Sequence, residues 1–131
     1  MEKTNFQRLQ IYRLSERLSD QVWKIVVRWD LLARDTVGRQ LIRSADSIGA
    51  NIAEGSGRGS EADLRRFLRM ARGSLYETQH WLRRAFRRKL LTDKQVNDLL
   101  PIVNELGPKL NAYLKAVGTS KRFGRPITVR E

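Results

Sequence analysis

Cysteine is absent from this chain, and histidine occurs once, at His80. Without thiols there is no disulfide framework, no thiolate zinc site and no cysteine nucleophile. One histidine without a surrounding carboxylate cluster cannot furnish a metal site, so neither a metal nor any other cofactor is expected. Long apolar runs are missing as well. No stretch approaches the roughly 20 apolar residues that cross a bilayer, and residues 1–8 carry no apolar signal core. The expectation is a cytoplasmic protein without a membrane partner. Acidic side chains are scarce: 14 Asp and Glu stand against 26 Lys and Arg, a formal charge of +12. That excess is larger than solubility requires and points to a polyanionic or acidic partner.

What is present is helical periodicity. A length of 131 residues with 40% hydrophobic content suits one domain around one core. Strand-like alternation is scarce, and four segments repeat apolar residues at three- and four-residue steps. In the first, over 8–29, Ile11, Leu14, Leu18, Val22, Ile25 and Trp29 form one stripe. Tyr12, Trp23 and Val26 occupy an adjoining sector that fits either a broad core-facing arc or a subunit interface. The second, over 36–54, buries Val37, Leu41, Ala45, Ile48 and Ile52, with Asp35 set to pair with Arg39. It is expected to end where Gly55, Gly57 and Gly59 supply left-handed conformations. Those glycines do not make a phosphate loop, since neither a Gly-Lys-Ser/Thr ending nor a preceding strand accompanies them.

Ser60 and Asp63 cap a third segment over 61–89, in which Leu64, Leu68, Ala71, Leu75, Leu82 and Phe86 share a narrow sector. Arg65, Arg69, Arg72, Arg83 and Arg87 line up beside that sector, and Arg66, Arg84 and Arg88 make a second short row ending at Lys89. Cations at a helix C-terminus suit its dipole. Arg65, Arg66 and Arg69 sit in the first turns, where the dipole disfavours them, so a partner explains them better. Thr92 and Gln95 form a capping box for the last segment, over 93–117, whose face is Val96, Leu99, Leu100, Val103, Leu110, Leu114 and Val117. Pro101 and Pro108 within it predict kinks or a break. Residues 118–131 read as a basic tail, either a flexible arm or a strand added to a partner.

Short connections between such helices predict an all-α, antiparallel up-down-up-down four-helix bundle spanning residues 1–117. Within it Asn51 and Glu54 are expected to satisfy free groups around a helix end, with Arg58 or Arg43 as charge partner and Gly55 as the C-terminal cap. No nucleophile or paired acid and base is signalled, and no catalytic residue is nominated. The Arg and His pair of ribonucleases built on HEPN bundles is also missing, because seven residues separate Arg72 from His80.

The run from Gln40 to Gly55 (QLIRSADSIGANIAEG), then Arg58, then Phe67 to Glu77 (FLRMARGSLYE) resembles the bacterial four-helix bundle family also labelled 23S ribosomal RNA intervening-sequence protein. Phe6, Leu9, Tyr12 and Leu18 fit the opening helix of that family, so the likeness covers about residues 6–117. The chain departs from the pattern at Ile42, where a second basic residue is common, and at the two prolines. The resemblance implies a left-handed bundle that closes into rings of five subunits. It also implies kinship with the accessory protein of diversity-generating retroelements, a basic ring associated with nucleic acid and reverse transcriptase. On that footing Tyr12, Trp23, Val26, Phe67, Met70 and Trp81 are candidates for burial between subunits, with the intrabundle core as the alternative. The expected function is a non-enzymatic, oligomeric, basic scaffold. Arg65, Arg66, Arg69, Arg72, Arg83, Arg84, Arg87, Arg88 and Lys89 would contact phosphates, and Tyr76 is the aromatic best placed for secondary stacking. The other expectation is a protein adaptor whose basic face docks an acidic or polymerase-type partner.

Overall fold

Apolar side chains at three- and four-residue steps leave water together only when helices pack side by side, and the chain does this four times. The computed structural model describes the backbone of residues 3–123 and the side chains of residues 5–118. Helix α1 is Lys3–Val26. Leu31–Ala33, Arg34–Gly38 and Arg39–Ser56 run on without interruption as α2, the middle piece being a π-helical segment. Helix α3 is Glu61–Arg87 and α4 is Asp93–Phe123. No strand occurs among the described residues. Helices α2 and α3 share the most extensive contact, α1 packs on α2 and α4, and α3 packs on α4, which closes an antiparallel four-helix bundle.

The seams are tighter in period than a straight helix requires. On α3 the inward residues are Leu64, Leu68, Ala71, Leu75, Thr78, Leu82 and Ala85, a strict alternation of four- and three-residue steps. Such a heptad keeps facing its neighbour only if the helices wind gently around one another. Phe86, expected on the buried stripe, therefore falls outside it and is 48% exposed, while Ala85 takes the inward place. Helix α4 corrects its expected face in the same way. Leu100 is exposed, and Ile102, Leu106 and Tyr113 are buried because α4 serves both α1 and α3.

Helix ends differ from expectation where glycine was given the deciding role. Helix α1 stops at Val26, and Trp29 closes a turn by donating its N–H to Val26 O at 3.0 Å. Asp35 makes its ion pair with Arg34 at 3.8 Å, whereas Arg39 donates to the Asp35 backbone carbonyl. No glycine among the described residues has positive φ. Gly57 caps α2 in a right-handed conformation, and Gly55 lies inside the helix. A Cβ on Gly55 would stand 2.8 Å from Phe67 Cβ, so its bareness lets α2 and α3 approach closely. Gly38 acts likewise on the α1 side, where a Cβ would meet Val26 Cγ1 at 2.6 Å.

The two caps expected from sequence are present. Asp63 N–H donates to Ser60 Oγ at 3.1 Å. Thr92 and Gln95 exchange bonds, with Gln95 N–H on Thr92 Oγ1 at 3.1 Å and Thr92 N–H on Gln95 Oε1 at 2.9 Å. Helix α4 stays helical through Pro101 and Pro108, so of the kinks or break expected there, no break occurs. Both prolines lie on the exposed face, and the carbonyls they leave unpaired belong to the exposed Asn97 and Asn104, where water can satisfy them. Helix α4 also continues past Gly118 to Phe123, which shortens the expected tail; residues 124–131 lie outside the described residues.

Candidate nucleic-acid interface

An α-helix rises about 1.5 Å per residue, so the stretch of α3 from Arg65 to Arg87 is about 33 Å long. Along it Arg65, Arg69, Arg72, Arg83 and Arg87 recur on one flank, set by the same heptad that buries Leu68, Ala71 and Leu75. Arg69, Arg83, Arg87, Arg88 and Lys89 are exposed and have no acidic partner among the described residues. Arg84 is half-buried, again without a carboxylate. Arg72 donates to the neutral Asn111 Oδ1 at 3.2 Å, which steadies the side chain and leaves its charge intact. Arg65 is half-buried, with Nη1 shielded from water and without a hydrogen-bond partner among the described residues. Only Arg66 meets a carboxylate, Asp63 at 3.6 Å, while its guanidinium sits 4.6 Å from the Phe67 ring centroid.

Elsewhere several cations are neutralised, although Arg28 and Arg39 stand exposed without a carboxylate among the described residues. Arg58 pairs with Glu54 at 3.0 Å, Lys94 with Asp98 at 3.0 Å, and Lys109 with Glu105 at 3.6 Å. Arg13, Arg17 and Lys24 on α1 stand exposed, yet they alternate with Glu16 and Asp20. The α3 flank differs from all of these in carrying consecutive cations with no interleaved acid from Arg65 to Glu77 and again from Trp81 to Lys89.

The Asn51 to Gly55 motif is structural, although differently from expectation. Asn51 Nδ2 donates to Ser47 O at 2.9 Å within α2, so it does not serve the helix end. Glu54 is paired by Arg58, one of the two partners considered. Arg43 reaches across to Glu77 on α3, and Glu77 also accepts Trp81 Nε1 at 3.1 Å. That Arg43, Glu77 and Trp81 group ties α2 to α3 at the surface. Beneath it Thr78 Oγ1 lies 3.0 Å from Ser44 Oγ in a buried hydroxyl pair. Sequence reading passed over Ser44 and Thr78; their places in the two facing heptads were the available signal.

The six residues nominated for a subunit interface separate into three pairs. Val26 and Phe67 are buried within the bundle, the core alternative considered for them, and Tyr12 and Trp81 are half-buried against the core. Trp23 is 57% and Met70 46% exposed. Val27, Leu31 and Leu32, which pattern reading did not single out, extend the exposed apolar surface around Trp23; Leu32 is 78% exposed. A recess of about 260 Å³ between α3 and α4 is lined by Leu82, Phe86, Leu91, Leu99, Leu100 and Val103, with Arg83 at its edge. No group of three or more His, Asp or Glu side chains fit to hold a metal occurs among the described residues, nor is any described helix long and apolar enough to cross a membrane.

An antiparallel four-helix bundle with a cationic flank on its third helix defines the class. Within that class the chain belongs to the 23S rRNA-intervening sequence protein family, whose family model matches residues 7–112. Among solved structures, it is similar to a protein of unknown function from the S23 ribosomal protein family of Bacteroides thetaiotaomicron. The two share 24% identity at a TM-score of 0.74, covering 83% of this chain and 98% of the other. At that identity the likeness speaks for the fold. No curated protein matches the chain.

Proposed function

We propose that the protein is a non-enzymatic basic scaffold that binds nucleic acid through phosphate contacts and works as an assembly of several copies in the cytoplasm. The observation that carries this reading is the row of unneutralised cations along α3, in a bundle whose other cations are mostly paired or interleaved with acids. Phosphate binding of this kind displaces condensed counterions and is largely indifferent to sequence. The family name makes structured RNA the first ligand to try. Self-assembly, which the family resemblance suggests as a ring of five, is supported by the exposed Trp23, Val27, Leu31 and Leu32 at the α1–α2 turn, an apolar surface that a solitary bundle leaves in water.

The test is charge reversal at Arg69, Arg83 and Arg87, all exposed and outside the core. The variant is expected to lose RNA and DNA binding at moderate salt while keeping wild-type helicity and sedimentation. Undiminished binding by that variant would contradict the assignment of the α3 flank. A parent protein that binds no nucleic acid, yet retains a protein partner after nuclease treatment, would favour the adaptor reading.

A further inference from the structure

Two features of α3 have no role in the packing of the bundle, and they lie one helical turn apart in the middle of the cation row. Gly73 is exposed, and a Cβ built on it would meet nothing within 4 Å. Its bareness is not explained by close packing, unlike that of Gly38, Gly49 and Gly55, where a Cβ would come within 2.6, 2.9 and 2.8 Å of a neighbour. Glycine inside a helix is destabilising relative to alanine, so Gly73 weakens α3 without relieving any contact in the bundle. Three residues on, Tyr76 is 56% exposed and has no ring or cation stacked on it among the described residues. His80, the other exposed ring on this flank, is already engaged edge-on with Trp81 at 4.8 Å.

Helical side chains lean back over the turn that precedes them. By that rule the Tyr76 ring leans toward the 72–73 turn, where Gly73 contributes no side chain to cover it. Arg69 and Arg72 precede the ring on the same flank, and Arg83 and Arg87 follow it. We infer that Tyr76 and the bare backbone at Gly73 form a stacking platform for an unpaired base, so that single-stranded nucleic acid is the preferred ligand of the α3 flank. A strand laid along α3 meets cations on both sides of the ring, and its bases, free of a complementary strand, present their faces to it. A duplex keeps its bases stacked inside and offers this flank only phosphates. The inference rests on the phosphate-binding reading and sharpens it from polyanion to single strand.

The experiment measures binding of the full chain to labelled oligouridine and to a labelled blunt-ended duplex with the same number of phosphates. Tyr76→Ala is expected to weaken oligouridine binding by about 5- to 140-fold, the range set by one stacked base. The same variant leaves the duplex affinity within about twofold and the salt slope on both ligands unchanged, since no charge is removed. Tyr76→Phe retains the parent preference. Gly73→Met, which lays a side chain against the ring, weakens oligouridine binding while raising the melting temperature, so its loss of binding cannot be ascribed to poor folding. Equal losses on both ligands, or no loss on oligouridine, overturn the platform; so does a change of assembly size on Tyr76→Ala, which would assign the ring to contact between copies. If the parent protein binds both ligands with a steep salt slope and Tyr76 has no effect, the platform fails and the phosphate reading stands. If the parent binds neither at moderate salt, both fail.

Discussion

Single side chains in this bundle are placed by what each brings to a crowded contact. Ser15 donates to Tyr12 O at 2.6 Å and lies where a Cβ on Gly49 would come within 2.9 Å of its hydroxyl, so α1 and α2 approach through small residues. Tyr113 is the polar exception on α4. Burial raises the pKa of its phenol above the ordinary value, and the positive charge of Arg8 partly offsets that rise. Because the folded protein holds this proton more tightly than the unfolded chain, the stabilisation is fully present below about pH 10, the ordinary tyrosine value. It is lost as pH climbs through the raised folded value. Melting curves between neutral and strongly alkaline pH are therefore expected to show a decline beyond about pH 10 that is shallower in Tyr113→Phe. Identical alkaline profiles for the two proteins would contradict this account.

At the scale of elements, the third helix shows how far periodicity could be read and where it misled. Caps depend on residue type at fixed offsets, so Ser60 with Asp63 and Thr92 with Gln95 were legible from sequence. Register over long distances was less so, because a 3.6-residue wheel and a heptad diverge by about 20° per seven residues. That drift is enough to exchange Phe86 for Ala85 and to hide Thr78 facing Ser44. The end of α3 was hidden for a different reason. Lys89 adopts φ 61, Leu90 N–H bonds Ala85 O at 2.9 Å, and Lys89 N–H bonds Phe86 O at 3.0 Å. This is a Schellman turn with lysine where glycine is usual, and nothing in the sequence announces it. Lys89→Gly removes the strain of a left-handed lysine, so a stabilisation of about 1 kcal/mol is expected, partly offset by the freer unfolded chain. In a melting experiment that corresponds to a rise of roughly 3–5 °C. A fall in melting temperature would show that the lysine side chain contributes more than its backbone costs.

For the whole molecule, the family and the four-helix architecture could be read from the Gln40 to Gly55 and Phe67 to Glu77 blocks and from the four periodic segments. The division of surface labour could not, because it depends on which charges find partners in space. Glu77 is drawn toward Arg43 and Trp81, which leaves the cations on the Arg69 to Arg87 flank without it. Val26 and Phe67, for which interface and core were both open, are buried within the bundle, whereas Leu31 and Leu32 are exposed. If that apolar turn joins copies, Leu32→Glu should shift the protein to smaller species in sedimentation velocity with its helicity unchanged. A wild-type protein that sediments as a single chain at micromolar concentration would contradict the assembly part of the proposal.

The most direct test of the central claim is the salt dependence of nucleic-acid binding by purified protein freed of bound nucleic acid. Each phosphate neutralised contributes about −0.9 to the slope of log K against log salt on duplex and about −0.7 on single strands. The α3 row predicts a steep slope, flattened by roughly three phosphate contacts when Arg69, Arg83 and Arg87 are reversed to Glu. A slope near zero, or one that the triple variant leaves unchanged, would contradict the claim that this flank is where the protein meets its polyanion.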